Sequence, residues 1–571
     1  MSKHGLSAEV PNDSGYRATP FGRGTSFGWL YAVWVVLIGA FAVAHALNLA
    51  ADFPNHTPLH IDWAKYTDEG WYGNAAIRAH LFGRWYFPGD FNPAPAVPVW
   101  PFLEWILFFF TGVSVEAARG LAVAFFFANL VLAYTLLRSR GPKWMALLAL
   151  TLMVTSSFLY CFSRLAILEP MLTTLLLAAL NLTVRLPRMK KPVAISAVIG
   201  VLFTLMMLTK TTAIFLLPAI GWALFAAFWY RGEDTADGAR SGLRRWFHPC
   251  AVRCAAVALA SFAVTFGAWM ALVVALGYFP DYKYLLFINN YVKPTEFYWP
   301  LLSFWWSLRG MIWIDQILIP LCEVLIGAAL AAAVLLYKKN GWGKRLLLDP
   351  VFGASILAAG GYILFMTYQN HPQPRYFALV APFCFLIIAM ATEALIASAG
   401  LMRLLGCGAL GVTTIAAVLN AVQTASYAAH PEYTFVSAAR QLTTYIDQHP
   451  NGNRLLVSIS GDEISLVTHL ETLCDDFGLH TPAFPDLPAK MAVYKPGWWA
   501  TWNDIDLGTL EDIHTHYSLE QVAAFKAFDD PERNVLVLFK LHPLPNGQVR
   551  QIDGANLQQP LPGDKIDIPL E

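Results

Sequence analysis

The sequence predicts a mostly α, polytopic membrane helix bundle of about 11 crossings, followed by a small C-terminal α/β extracytoplasmic domain. Three observations predict it. The 571 residues are 56% hydrophobic and only 14% charged, where a soluble chain carries about a quarter charged residues. Apolar runs such as Leu30–Leu49 and Ala255–Leu276 reach the roughly 20 residues that cross a bilayer. The charge is also divided. Of 39 acidic and 39 basic residues, 20 and 9 lie from Gln423 onward, leaving 19 and 30 before it. A basic membrane part and an acidic tail indicate two compartments.

Residues 1–28 are polar and read as a cytoplasmic tail. The apolar segment that follows is too long, and lacks the small-residue cleavage pattern, for a removable signal peptide. Full-length apolar segments fall near 29–50, 119–137, 143–162, 165–184, 192–209, 212–230, 254–276, 314–337, 350–368, 376–397 and 402–422. They define a membrane module over 29–425, with a first outer loop at 51–118. The run Val97–Phe110 is shorter and carries Pro98, Pro101 and Glu104. Runs of that length are interfacial or re-entrant. Lys and Arg bias orients membrane proteins. If 97–110 does not cross and the N-terminus is cytoplasmic, 20 basic residues face the cytoplasm and 10 face out, up to residue 422. If it crosses, the ratio inverts. The first arrangement is therefore expected: a multi-pass protein of the bacterial inner (plasma) membrane, with the C-terminal domain periplasmic or extracellular.

The domain at 426–571 reads as α/β. Phe435–His449 and Ser518–Phe525 look helical, whereas Arg454–Ile459 and Val535–Phe539 suit buried strands. The last twenty or so residues, rich in Pro, Gln and Asp, are expected to be loosely ordered. No Gly-rich phosphate loop supports a nucleotide site. Basic residues lie in short loops rather than one patch, so no nucleic-acid partner is indicated. The 20 Trp and 22 Tyr suit interfacial belts. Of seven cysteines, Cys474 is alone in the tail, and Cys250 and Cys254 read as packing residues.

The chemistry-bearing residues begin with the loop Tyr66-Thr67-Asp68-Glu69-Gly70-Trp71-Tyr72. Ionised groups beside a bilayer are costly and so need a reason. Neighbours on a helix point about 100° apart, so one carboxylate would act while the other supports it, caps a helix or binds a cation. The plainer reading makes both acids a favourable start for a helix over Trp71–Leu81. Arg164 and Glu169 face each other across a short outer turn, as a structural ion pair or as part of a site. Lys210, between two apolar runs, snorkels to the headgroups or holds a lipid phosphate. His371-Pro372-Gln373-Pro374-Arg375-Tyr376 opens a helix with a guanidinium suited to phosphate; the bland alternative is a belt anchor. Together they form a carboxylate pair and several cations on one face. A carboxylate takes an acceptor proton, and cations stabilise charge on a departing phosphate. No nucleotide donor is expected outside the cytoplasm, so a lipid-linked one fits.

The chain resembles a GT-C glycosyltransferase, similar to the protein O-mannosyltransferases and the lipid A aminoarabinose transferases. The resemblance rests on Asp68-Glu69-Gly70-Trp71-Tyr72, Gly112-Val113-Ser114 with Arg119, Ser163-Arg164-Leu165 with Glu169, Thr209-Lys210, and Arg375-Tyr376, in that order. It covers about residues 60–230 and 371–382. It implies a polyprenyl-phosphate-sugar donor, a glycolipid, glycan or protein acceptor, and inversion at the anomeric carbon. Asp68, with Glu69, would be catalytic. Lys210, Arg375 and Tyr376 would bind the donor phosphate, supported by Tyr72, Arg164, Glu169 and His371. Relatives differ in needing a divalent metal, so that cofactor stays open. The departures are Glu169 where Asp is frequent, Thr211 where Gly is frequent, and Phe91–Val97 without a Lys-Pro-Pro stretch. Two competing readings are a transporter or flippase for a lipid-linked or small anionic substrate, and an inactive GT-C scaffold. A transporter places charges at mid-membrane depth, and here they cluster at helix ends.

Overall fold

The computed structural model describes residues 28–54, 62–88, 90, 93–231, 248–288, 298–335, 342–369, 371–475, 486–504, 507–531, 533–545 and 550. The expected N-terminal tail and the C-terminal stretch from 551 lie outside the described residues.

Helix α1 (Gly28–His45) leads into the first loop. That loop folds as a 3₁₀ turn (Trp63–Lys65), α2 (Asp68–Phe82) and α3 (Val99–Thr111). Next come α4 (Val115–Arg138), α5 (Lys143–Thr155), α6 (Ser157–Phe162), α7 (Glu169–Arg185), α8 (Pro192–Thr209), α9 (Leu217–Arg231) and α10 (Pro249–Ala275). The bundle is completed by α11 (Phe279–Lys283), α12 (Tyr298–Gly310), α13 (Leu318–Leu335), α14 (Trp342–Leu347), α15 (Pro350–Gln369), α16 (Phe377–Ile396) and α17 (Leu401–Ala429). Among the described residues, 10 segments are long and apolar enough to cross a bilayer. The span ending in α16 is 94% buried and that of α10 only 6%. An apolar helix is stable when surrounded by protein or by lipid, so α16 is the bundle's axis and α10 a lipid-facing strut.

Two segments depart from the sequence reading. The stretch 143–162 is not one helix. It breaks at Ser156, whose hydroxyl accepts from Leu159 N at 3.1 Å and starts α6 afresh. The stretch between the apolar segments 254–276 and 314–337 is not plain loop, since it contains α11 and α12. The one proline of α12, Pro300, lies in its first turn, where a missing N–H costs nothing.

Helix α3 has 13 residues, about 20 Å at 1.5 Å per residue, short of the ~30 Å hydrocarbon core. Trp100, Glu104 and Phe108 are buried, whereas Phe102, Trp105, Phe109 and Phe110 are exposed. Such a two-faced helix suits a membrane surface.

Beyond α17, α18 (Thr434–Gln448) leads into the C-terminal domain. It holds β1 (Leu456–Ser458), α19 (Gly461–Thr468), β2 (Thr472–Leu473), α20 (Leu487–Tyr494), β3 (Trp498–Trp502), α21 (Leu507–His514), β4 (Tyr517–Lys526) and β5 (Val535–Pro543). The sheet order is β2-β1-β3-β5-β4. β1 runs parallel to β2 and β3, and β5 antiparallel to β3 and β4. Ser518–Phe525, expected as a helix, is strand β4. Its Leu, Glu, Gln and Ala favour a helix locally. Pairing along β5, with a bulge between Gln521 and Ala523 and Leu519 in the core, overrides that weak preference.

Both faces of the sheet are covered, and the first loop supplies part of the cover. Tyr66 packs with Phe435, Trp498 and Trp502 on one face. Phe87 packs with Trp499 and Phe539 on the other. Asp52 caps α18, accepting from Thr434 N at 2.7 Å and Phe435 N at 3.2 Å. A buried ion pair joins Lys65 to Asp530 at 2.7 Å. The loop that carries Asp68 is therefore fixed on one side by the membrane helices and on the other by the sheet domain.

Candidate active site

Helix α2 begins at Asp68, so both acids occupy its first turn, where exposed N–H groups favour negative charge. Their side chains then diverge, as the helical spacing requires. Asp68 is buried and faces Arg375, with Arg375 Nε 3.0 Å from Asp68 Oδ2. This is an ion-pair contact without hydrogen-bond alignment. The Thr67 hydroxyl donates to Asp68 Oδ1 at 3.2 Å. Glu69 turns the other way. It accepts from Arg119 Nε at 2.7 Å, from Arg119 Nη2 at 2.5 Å and from Ala166 N at 2.8 Å. Glu69 thus lies outside the Asp68–Arg375 contact, with Arg119 and Ala166 N as its partners. It binds the start of α2 to α4 and to the turn before α7.

Arg375 lies in a 3₁₀ turn, Pro374–Tyr376, at the head of α16. Its backbone N–H donates to Asp62 Oδ2 at 2.6 Å and its Nη1 to Asp62 Oδ1 at 2.9 Å. Asp62 also accepts from Ala64 N at 2.8 Å, which starts the 3₁₀ turn leading to α2. Sequence reading passed over Asp62, which stands outside any motif. Lys210 breaks away from the end of α8 with extended backbone. Its ammonium pairs with Glu169 and lies 4.5 Å from the centre of the Tyr376 ring. Arg164, expected opposite Glu169, goes elsewhere. It donates to the carbonyls of Leu47 at 2.6 Å and Asn48 at 2.5 Å, and to the Tyr160 hydroxyl. The carbonyls of the turn past α1 attract it, and Lys210 takes its place at Glu169.

Three carboxylates (Asp62, Asp68, Glu169) and two cations (Lys210, Arg375) therefore share one buried cluster, walled by Tyr72 and Tyr376. Burial raises the Asp68 carboxyl above its ordinary range. Arg375 opposes the rise, Asp62 adds to it, Lys210 opposes it and Glu169 adds to it. Burial, then Asp68, keeps the Tyr72 phenol protonated. His371, at the rim with its ring 6.4 Å from that of Tyr376, is pushed down to about 4, first by burial and then by Arg375. It is a neutral imidazole at pH 7 rather than a third cation. Among the described residues, no three His, Cys, Asp or Glu side chains are grouped to hold a metal ion.

This cluster, at the ends of α2, α7, α8 and α16, sits on a backbone with known counterparts. ArnT from Cupriavidus metallidurans in the apo state superposes with TM-score 0.56 at 13% identity, over 89% of this chain and 98% of that one. The chain has the GT-C fold. The same protein bound to undecaprenyl phosphate gives TM-score 0.53 at 13% identity, over 91% of this chain and 100% of that one. The apo oligosaccharyltransferase of Archaeoglobus fulgidus gives 0.51 at 12% identity, over 92% of this chain and 76% of that one. No family model matches the sequence, and no curated sequence matches it significantly. The likeness is one of backbone geometry, at 12–13% sequence identity.

Proposed function

We propose that this protein is a membrane glycosyltransferase. It moves a sugar from a polyprenyl-phosphate-linked donor to an acceptor hydroxyl on the extracytoplasmic face, with inversion. The observation that carries the reading is the Asp68–Arg375 contact, with the Lys210–Glu169 pair in the same cluster, on a GT-C backbone. One of the similar structures is described as bound to undecaprenyl phosphate.

In this scheme the acceptor oxygen attacks the anomeric carbon as the bond from that carbon to the phosphate oxygen breaks. The acceptor proton goes to Asp68. The bonding pair leaves with the phosphate, whose growing charge faces Arg375 and Lys210. Burial makes Asp68 a stronger base than an exposed carboxylate, and Arg375 opposes that rise. Asp62 and Glu169 hold the two cations in place before the anion arrives. One displacement at one carboxylate inverts the anomeric centre. Glu69, engaged by Arg119, positions the helix.

The test is mass spectrometry of cell-envelope glycans and glycolipids, with and without the gene and with an Asp68→Asn copy. The expected result is one sugar modification lost in both the deletion and the variant. An unchanged envelope in both would contradict the reading.

A further inference from the structure

We infer that Glu463, carried by the C-terminal domain, is a positioning residue for the Asp68 helix, and that it works as a neutral carboxyl rather than as an anion. This rests on the transferase reading above and adds a part of the site that the sheet domain supplies.

The geometry begins at Gly70. A Cβ built there would lie 2.2 Å from the Asp462 carbonyl carbon and 2.3 Å from Glu463 N. The backbones of α2 and α19 therefore meet at a distance only glycine permits. At this contact Glu463 Oε1 accepts from Glu69 N at 3.3 Å, one of the first-turn donors that have no partner inside the helix. Glu463 is 3% exposed, and its Oε2 is buried without a hydrogen-bond partner. The groups around it are Glu69 and Asp68 from α2, Arg119 from α4 and Asp52 from the segment after α1.

None of these neutralises it. Arg119 spends Nε and Nη2 on Glu69 and Nη1 on the carbonyls of Leu49 and Ala51. The neighbouring Asp462 takes Arg78 at 3.2 Å. Asp52 is occupied by Thr434 and Phe435. An ionised Glu463 would be an uncompensated anion beside two others, at a cost the protein avoids by keeping the proton. Burial, then Glu69 and Asp68, pushes its carboxyl well above the ordinary range.

The neutral form serves the chemistry. It accepts the Glu69 N–H and fixes the first turn of α2. It also adds no further negative charge near Asp68, which would otherwise be driven to hold its own proton and could then accept none from the acceptor.

The experiment uses the full chain in lipid nanodiscs. Infrared difference spectra at pH 7 between wild type and Glu463→Gln should show the loss of one protonated-carboxyl C=O band. Turnover is followed as undecaprenyl phosphate released from undecaprenyl-phosphate-linked sugars, and binding with undecaprenyl phosphate alone. Glu463→Gln, which keeps an acceptor oxygen and no charge, should retain wild-type kcat and pH profile. Glu463→Ala and Gly70→Ala should lose up to about 10²-fold in kcat, with undecaprenyl phosphate affinity unchanged. No loss of a protonated-carboxyl band in the Gln variant, or a Gln variant as impaired as Ala, would overturn the proposal. A wild-type chain without turnover on any donor would contradict the transferase reading instead, and the infrared band would still decide the state of Glu463.

Discussion

Arg375 and Asp62 are joined twice, through the arginine's backbone N–H at 2.6 Å and its Nη1 at 2.9 Å. The Nε of the same guanidinium lies 3.0 Å from Asp68. One side chain thus fixes the loop before α2 and faces the proposed base. A planar fork can serve both carboxylates, and a single ammonium cannot.

Arg375→Lys should therefore behave unlike a conservative change. Binding of undecaprenyl phosphate, measured by thermophoresis in nanodiscs, is expected to weaken at unchanged net charge. Turnover should fall by about 10²-fold as Asp68 loses its alignment. Asp62→Asn should reproduce the loss of turnover with a smaller effect on phosphate affinity.

The Glu69–Arg119 pair predicts a different pattern. Both side chains are nearly excluded from water, so removing one leaves an uncompensated buried charge that costs about 3–5 kcal/mol. Arg119→Ala should lower the melting temperature strongly. The double variant Glu69→Gln with Arg119→Met should recover part of the loss, because the two effects are not additive. A loss in the double variant equal to the sum of the losses in Glu69→Gln and Arg119→Met would show that the pair is not coupled.

His371 gives a pH signature. Its folded value of about 4 lies below the ordinary 6.5. Between those values the unfolded chain binds a proton that the folded chain does not. Its contribution to stability is full above 6.5 and is lost as pH falls toward 4. His371→Gln should flatten the fall in melting temperature over that window and leave donor binding at pH 7 unchanged.

The buried carboxyls Glu463 and Glu104 act with the opposite sign. Both are pushed well above their ordinary range, mainly by burial. Their protonated forms stabilise the fold fully below the unfolded carboxylate range, and that contribution is lost as pH rises through the raised folded values. The melting temperature of Glu463→Gln should therefore decline less than that of wild type as the solution is made alkaline.

Membrane character was legible because hydropathy and span length follow from composition alone. Lys210, Glu169 and Arg375 could be singled out because each is a charge near the end of an apolar run, and Asp68 because it is half of an acidic pair in an aromatic-rich loop. Pairing was not legible, since it depends on helix-end geometry. Arg164 looked like the partner of Glu169 by proximity in sequence, yet the carbonyls of Leu47 and Asn48 in the turn past α1 claim it. Asp62 and Glu463 carried no signal, because their roles come from tertiary contacts with Arg375 and with Gly70 that no local pattern encodes. The C-terminal domain's share in the site was hidden for the same reason. Its overall acidity is visible in the sequence, but its docking through Tyr66 and Phe87 is not. Strand β4 was misread because its residues favour a helix and only the ladder to β5 decides otherwise.

The base assignment of Asp68 is tested most directly by Asp68→Asn in nanodiscs, with donor binding and single-turnover transfer measured on the same preparation. The expected result is retained affinity for undecaprenyl phosphate with transfer slowed by about 10²–10⁴-fold. Transfer at the wild-type rate in that variant would contradict it.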